Sequence, residues 1–152
     1  MKRIIIAAGA ICALFTAATH AATAQMVGGP CNYDKYPGKA KIIKVVQTVD
    51  SKKQRGLAPF EGYEVKYVFT ATAPVSDKMI ADLMKREWIY YLTKSAYEIY
   101  PGEKYIAKYG IKVGKEYPCT MSVIKSGTCT PWGFEFKGLD PKDLFEFTGE
   151  KK

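Results

Sequence analysis

One residue type that carries much enzyme chemistry is nearly missing. His20 is the only histidine in 152 residues, and it lies in a stretch with the three-part layout of an export signal. Lys2 and Arg3 give a positive start, residues 4–15 an apolar run, and Ala22, Thr23 and Ala24 a small-x-small cleavage pattern. The expected cut follows Ala24, with Ala21 and Ala22 as neighbouring alternatives. The chain then divides into a signal peptide at 1–24 and a single domain at 25–152. A retained anchor competes with this reading, but the apolar run is short against the roughly 20 residues a spanning helix needs. No Arg-Arg pair marks twin-arginine export, and Ile11 before Cys12 does not fit a lipidation site. The Ala-rich cleavage region is of bacterial type, pointing to the periplasm first and full secretion second, with no transmembrane segment in the mature chain.

On that reading the mature chain holds no imidazole, the side chain that titrates near neutral pH without help. Ser-His-Asp and Cys-His nucleophiles are then excluded, as are His-ligated metal sites. Three cysteines remain, Cys31, Cys119 and Cys129, too few for a four-thiolate centre and without a C-x-x-C pair. In an oxidising compartment they predict one disulfide and one leftover thiol, the latter buried and inert. Phosphate loops and calcium loops are absent, so no cofactor or metal is expected. Asp140 with Asp143, or Glu61 with Glu64, could in principle form a glycosidase pair. Their context is turns and solvent faces, which favours ordinary surface roles.

What remains is basic and aromatic. Removing Lys2 and Arg3 lowers the net charge from +8 to +6. Lys39, Lys41, Lys44, Lys52, Lys53 and Arg55 cluster with one acid, Asp50, among them. Lys104, Lys108, Lys112 and Lys115 interleave with Tyr105, Tyr109 and Tyr117. Lys and Arg attract polyanions, and Tyr rings offer stacking surface for sugars or bases. The candidate binding surface is therefore Lys52, Lys53, Arg55, Lys104, Tyr105, Lys108 and Tyr109. A strand edge protected by lysines accounts for the first set equally well.

The elements that must position these groups read as one α+β domain. Residues 25–38, with Gly28-Gly29-Pro30 and Pro37-Gly38, read as an irregular lead-in. Residues 39–49 read as a strand, 50–61 as a polar loop and 62–71 as an alternating strand forming a hairpin with the first. Ser76 reads as the N-cap of an amphipathic helix running to about Ala96, with Met79, Ile80, Leu83, Met84, Trp88, Tyr91 and Leu92 on its core face. A short helix is expected over 103–109, stopped by Gly110. Strands follow over 115–124 and 128–137, turning at Ser126-Gly127. The predicted register sets Val123 opposite Thr130, Met121 opposite Trp132 and Cys119 opposite Phe134. It leaves Cys129 on the other face from Cys119, so Cys31 should pair with one of them; a bulge near Pro131 would instead permit Cys119–Cys129. Asp140-Pro141 should cap a final turn that packs Leu144, Phe145 and Phe147 onto the body.

The predicted fold is an antiparallel, twisted sheet of four or five strands with one main amphipathic helix packed on it. An open barrel of the oligonucleotide/oligosaccharide-binding type is compatible with that order. Three functions fit. The first is an exported, non-enzymatic binding or accessory protein for an anionic, glycan or protein partner in the envelope, with no specific nucleic acid. The second is a structural or assembly component. The third is a His-free, carboxylate-dependent polysaccharide hydrolase.

Overall fold

A computed structural model describes residues 30–54 and 57–148. The signal-peptide reading and Arg55 lie outside the described residues. Strands β1 (Asn32–Val46), β2 (Glu64–Ala71), β3 (Glu87–Tyr90), β6 (Glu116–Ser126) and β7 (Trp132–Phe136) form one antiparallel sheet in the order β3-β2-β1-β6-β7. The sheet curls into a half-barrel, consistent with the expected twisted antiparallel sheet and its open-barrel variant. A small hairpin, β4 (Leu92–Lys94) with β5 (Tyr97–Ile99), stands apart from it. Among the described residues there are three short α-helices, α1 (Val49–Lys53), α2 (Lys78–Met84) and α3 (Glu103–Tyr109), and a 3-10 turn at Phe145–Thr148.

The long central strand starts earlier than the glycines and prolines imply. Residues 32–38 are not an irregular lead-in; they pair with β6 from Asn32↔Ser126 to Gly38↔Cys119. Pro37 is tolerated because of where its missing N–H points. The Pro37 carbonyl accepts from the Thr72 N–H at 2.9 Å, on the β2 side. Its nitrogen faces the same side, just past Gly38↔Ala71, the last ladder pair with β2. Gly38 meets a different demand. A Cβ there would lie 2.2 Å from the Thr70 carbonyl oxygen and 2.7 Å from the Phe69 ring, so only glycine permits this approach. A register shift between Ile42 and Lys44 adds a bulge to β1, the kind of irregularity that bends a sheet.

The predicted long helix is the largest departure. Ser76 is not its cap: Asp77 is, accepting from the Met79 and Ile80 N–H groups. The helix ends at Met84, and Met79 is 76% exposed rather than on a core face. Trp88 and Tyr90 belong instead to β3, paired with Tyr67 and Val65 of β2. Residues 85–92 fit both periods on paper. Trp88, Tyr90 and Leu92 also alternate, and β2 has an edge to cover, so strand-prone aromatic residues take the extended form. The polar loop over 50–61 likewise contains α1, whose capping box joins Thr48 and Ser51 reciprocally.

The β6–β7 hairpin keeps its predicted faces but slips by two residues. Cys119 lies opposite Phe136, Met121 opposite Phe134 and Val123 opposite Trp132. The turn is wider than Ser126-Gly127, because residues 127–131 stay outside the ladder. An even slip preserves which side chains point inward. Cys119, Met121, Tyr117, Ile42, Val65 and Tyr67 are buried together in the core.

Candidate functional site

The disulfide is Cys31–Cys129, with a Cα separation of 6.2 Å. It ties the start of β1 to the loop that carries Cys129 into β7. The Tyr33 hydroxyl donates to the Thr130 carbonyl at 2.9 Å, fastening the same loop. Cys119 is the free thiol and is buried. Burial, with Glu135 adding a smaller effect, pushes its pKa up to about 12, so the reactive thiolate is scarce at neutral pH.

The predicted lysine–tyrosine surface divides on inspection. Lys52 and Lys53 are exposed on α1, and Lys104 is exposed on α3. Tyr105 is a correction: it is 0% exposed and offers no stacking surface. Its hydroxyl donates to the Asp140 carbonyl at 2.9 Å and lies 2.6 Å from the Tyr90 hydroxyl. Since the Tyr105 proton goes to Asp140, Tyr90 supplies the proton of the shared bond. Burial raises the Tyr105 pKa far above its usual range. Lys108 and Tyr109 both bind one carboxylate, Asp143, each at 2.6 Å. The Lys108 ammonium also sits 4.4 Å from the Phe145 ring centre. The Glu146 carboxylate accepts from the Lys104 N–H at 2.8 Å and caps α3, whose Gly102 N-cap has no side chain to do so. This half of the surface is a clamp holding the segment after Leu139 against α3.

The convex face of β1 is similarly occupied. Lys39 pairs with Glu116 and Lys44 with Glu64. The carboxylates weighed as a catalytic pair also have structural partners. Asp143 is in the clamp, where its bonds to Lys108 and then Tyr109 lower its pKa. Asp140 accepts from the Lys142 N–H, Glu61 accepts from the Gln47 amide, and Glu64 faces Lys44. Among the described residues no group of three or more His, Cys, Asp or Glu side chains is placed to hold a metal ion. No described helix is long and apolar enough to cross a membrane.

The open chemistry lies elsewhere, where the two edges of the sheet face each other. β3 and β7 are the terminal strands of the order, so the curl is not closed by a hydrogen-bonded ladder. Aromatic rings bridge the gap instead. Trp88 lies 4.9 Å from Phe134 and 5.9 Å from Trp132, and Tyr90 lies 5.2 Å from Phe136, all edge-to-face. Such contacts stabilise by about 0.5–1.5 kcal/mol each beyond burial. Beside this seam is a cleft of about 530 Å³, with Trp88, Trp132, Tyr90 and Tyr91 among its walls and Glu87, Glu98, Thr93 and Thr130 as polar groups. Trp132 is 37% exposed. The Trp88 indole N–H is buried without an acceptor.

A second cleft of about 570 Å³ lies between α1 and the β4–β5 hairpin. Asp50, Lys53, Gln54, Tyr97 and Tyr100 line it, and Tyr91 and Glu98 line both clefts. Lys53, a member of the predicted surface, thus borders this cleft. Tyr91 and Tyr100 rings lie 5.0 Å apart. Burial, with the Tyr100 hydroxyl next in size, raises the Tyr91 pKa well above its usual value, so it stays a neutral phenol. The sequence reading missed Trp88 and Trp132 as partners, although they are the only two tryptophans of the chain.

No protein-family profile, curated protein or solved structure matches this chain.

Proposed function

We propose that this is an exported, non-enzymatic binding protein whose ligand is a glycan bearing N-acetyl groups, held in the cleft between β3 and β7. The observation that carries the reading is the aromatic wall at Trp88 and Trp132 with an indole N–H that has no acceptor. Concave, largely aromatic sites with a few placed polar groups are the usual form of ligand sites, and about 530 Å³ is within their range. An acetamido group complements this wall. Its methyl meets the rings, its carbonyl accepts from the indole once the Trp88 ring turns its buried N–H toward the cleft, and sugar hydroxyls donate to Glu87 and Glu98. Those two carboxylates disfavour an anionic partner at this position, whatever the net charge of the whole chain. Export is supported by the leader pattern and by the Cys31–Cys129 bond, which suits an oxidising compartment.

Calorimetric titration with the N-acetylglucosamine tetramer tests the reading. Wild-type protein should bind with heat release and a shift in tryptophan emission. Trp132→Ala should weaken binding by about tenfold or more, equivalent to ~1.4 kcal/mol. Because Trp132 is at a strand edge, the variant should remain folded at the titration temperature. Absence of wild-type binding at millimolar tetramer rejects the proposal.

A further inference from the structure

The two clefts are neighbours. They share Tyr91 and Glu98, and the β4–β5 hairpin contributes to both: Thr93 to the first, Ala96 and Tyr97 to the second. Thr93 and Glu98 are cross-strand partners, so the hairpin presents them side by side. Resting on the glycan reading above, we infer that the ligand is a linear chain of N-acetylated sugars running from the β3–β7 cleft, past Tyr91 and Glu98, into the cleft beside α1. A single sugar or a compact small molecule would leave half of this groove empty.

Three observations carry the inference. The first is extent: the clefts measure about 530 and 570 Å³, and together they exceed the ~300–1,000 Å³ that encloses one drug-sized ligand. The second is aromatic continuity. Trp132 and Trp88 line one end, Tyr91 the middle, and Tyr97 and Tyr100 the other end. A chain whose successive rings each need a platform finds one along the whole course. Tyr97 is 57% exposed.

The third observation is the pair of unmatched polar atoms. Gln54 is 6% exposed, and its amide orientation is fixed by the bond from Nε2 to the Phe60 carbonyl at 2.9 Å. The Oε1 atom is therefore the acceptor, and it has no donor. In the wall of the first cleft Trp88 has the opposite deficit, a donor without an acceptor. A buried polar group left unpaired costs about 1–3 kcal/mol, and both atoms have almost no accessible surface, so an occupant completes them only as the Trp88 and Gln54 side chains shift toward it. The acetamido group offers a carbonyl acceptor and an N–H donor, and a repeating polymer offers both at both ends of the groove. Asp50, Glu87 and Glu98 against Lys53 leave the groove net negative, which disfavours anionic chains and admits neutral, hydroxyl-rich ones. A lysine-rich extended peptide is the competing occupant.

The experiment is a length series, N-acetylglucosamine from the monomer to the hexamer, titrated into the disulfide-intact protein. Affinity should rise about tenfold or more between dimer and hexamer. Tyr97→Ala, and separately Tyr97→Ala with Lys53→Ala, should bring hexamer binding down to the dimer level while dimer binding stays unchanged. Trp132→Ala should weaken both. Equal affinities for dimer and hexamer, untouched by Tyr97→Ala, would overturn the extended groove and leave the β3–β7 site standing. No binding at any length overturns both. An oligolysine peptide that displaces the hexamer at lower concentration also overturns the glycan chain. Sedimentation with insoluble peptidoglycan and with chitin separates the two polymer sources. Retention by either, reduced in Tyr97→Ala, upholds the inference, and retention by neither overturns it.

Discussion

The clamp between α3 and the C-terminal segment and the groove beside β3 use the same side-chain types in opposite ways. Both are built from tyrosines, carboxylates and lysines. In the clamp the polar groups find each other: Tyr90 with Tyr105, Tyr105 with Asp140, Lys108 and Tyr109 with Asp143, and Glu146 with the α3 backbone. One buried side-chain atom of the clamp, the second oxygen of Glu146, is left without a partner. In the groove the rings face open volume, while Trp88 and Gln54 each keep one polar atom unmatched. Composition alone ranks these regions the wrong way round. Lysines interleaved with tyrosines mark the clamp, where the groups are consumed by the fold. A binding site is marked instead by aromatic and polar groups that the fold leaves incomplete.

The comparison breaks most visibly under truncation. Tyr105→Ala removes a fully buried ring that also stacks on Tyr109 at 4.4 Å between centres. It leaves the Tyr90 hydroxyl and the Asp140 carbonyl without their partner. Loss of a large buried aromatic costs roughly 3–5 kcal/mol, and the stranded hydroxyl adds to that. Urea unfolding should show a loss in this range, against about 1–2 kcal/mol for Trp132→Ala at the rim of the groove, where the contact with Trp88 is lost. Comparable losses for the two variants would mean that the groove is structural and the division is false.

Much of the clamp was legible in the chain, and little of the groove. The helix over 103–109 with its Gly110 stop is local, and Gly110 has φ +61° at the C-cap, as the residue type implies. Leu144, Phe145 and Phe147 pack back as their spacing from Asp140-Pro141 suggested. The inward face of β6 and β7 was also readable, because parity survives an even slip in register. The groove depends on contacts distant in sequence. Trp88 and Trp132 meet only if residues 85–90 form a strand, and that stretch satisfies a helical period as well as an alternating one. Choosing the helix hid the β3 edge, and with it the seam. Pro37 and Gly38 misled for a related reason: their local signal is a turn, and only the positions of β2 and β6 show why a strand tolerates them.

The disulfide sharpens the contrast, since it braces the groove side of the molecule. Cys129 lies in the loop leading to Trp132, while α3 is distant from it in the chain. The bond spans 98 residues, and removing such a crosslink typically costs about 2–5 kcal/mol. Reduction, or a Cys31→Ala variant with Cys129→Ala, should lower the unfolding midpoint accordingly. Hydrogen exchange should then quicken in β7 before it quickens in α3. If α3 amides lose protection first, the bond supports the whole domain evenly, and the groove has no separate bracing.

The smallest effect is the pH dependence of the clamp. Asp143 has a pKa held below the usual carboxylate value, first by the Lys108 bond and then by Tyr109. A carboxylate depressed in the folded state contributes stability above its unfolded pKa of about 3.9, and that contribution is lost as pH falls through the lower folded value. Tyr109 carries the opposite shift, to about 12, because its hydroxyl bond to the Asp143 carboxylate favours the neutral phenol and burial adds to this. For Tyr109, as a group neutral when protonated, the linked stability is present below about 10 and is lost as pH rises toward that folded value. The clamp should therefore hold from near pH 4 to near pH 10 and weaken on both sides. Lys108 is half exposed, so screening by solvent limits the ion pair to about 1 kcal/mol or less. Asp143→Asn should flatten the acid limb of the stability profile and leave tetramer binding at pH 7 unaltered, because Asp143 lines neither cleft. A change in binding equal to the change in stability would show that the clamp and the groove act as one unit.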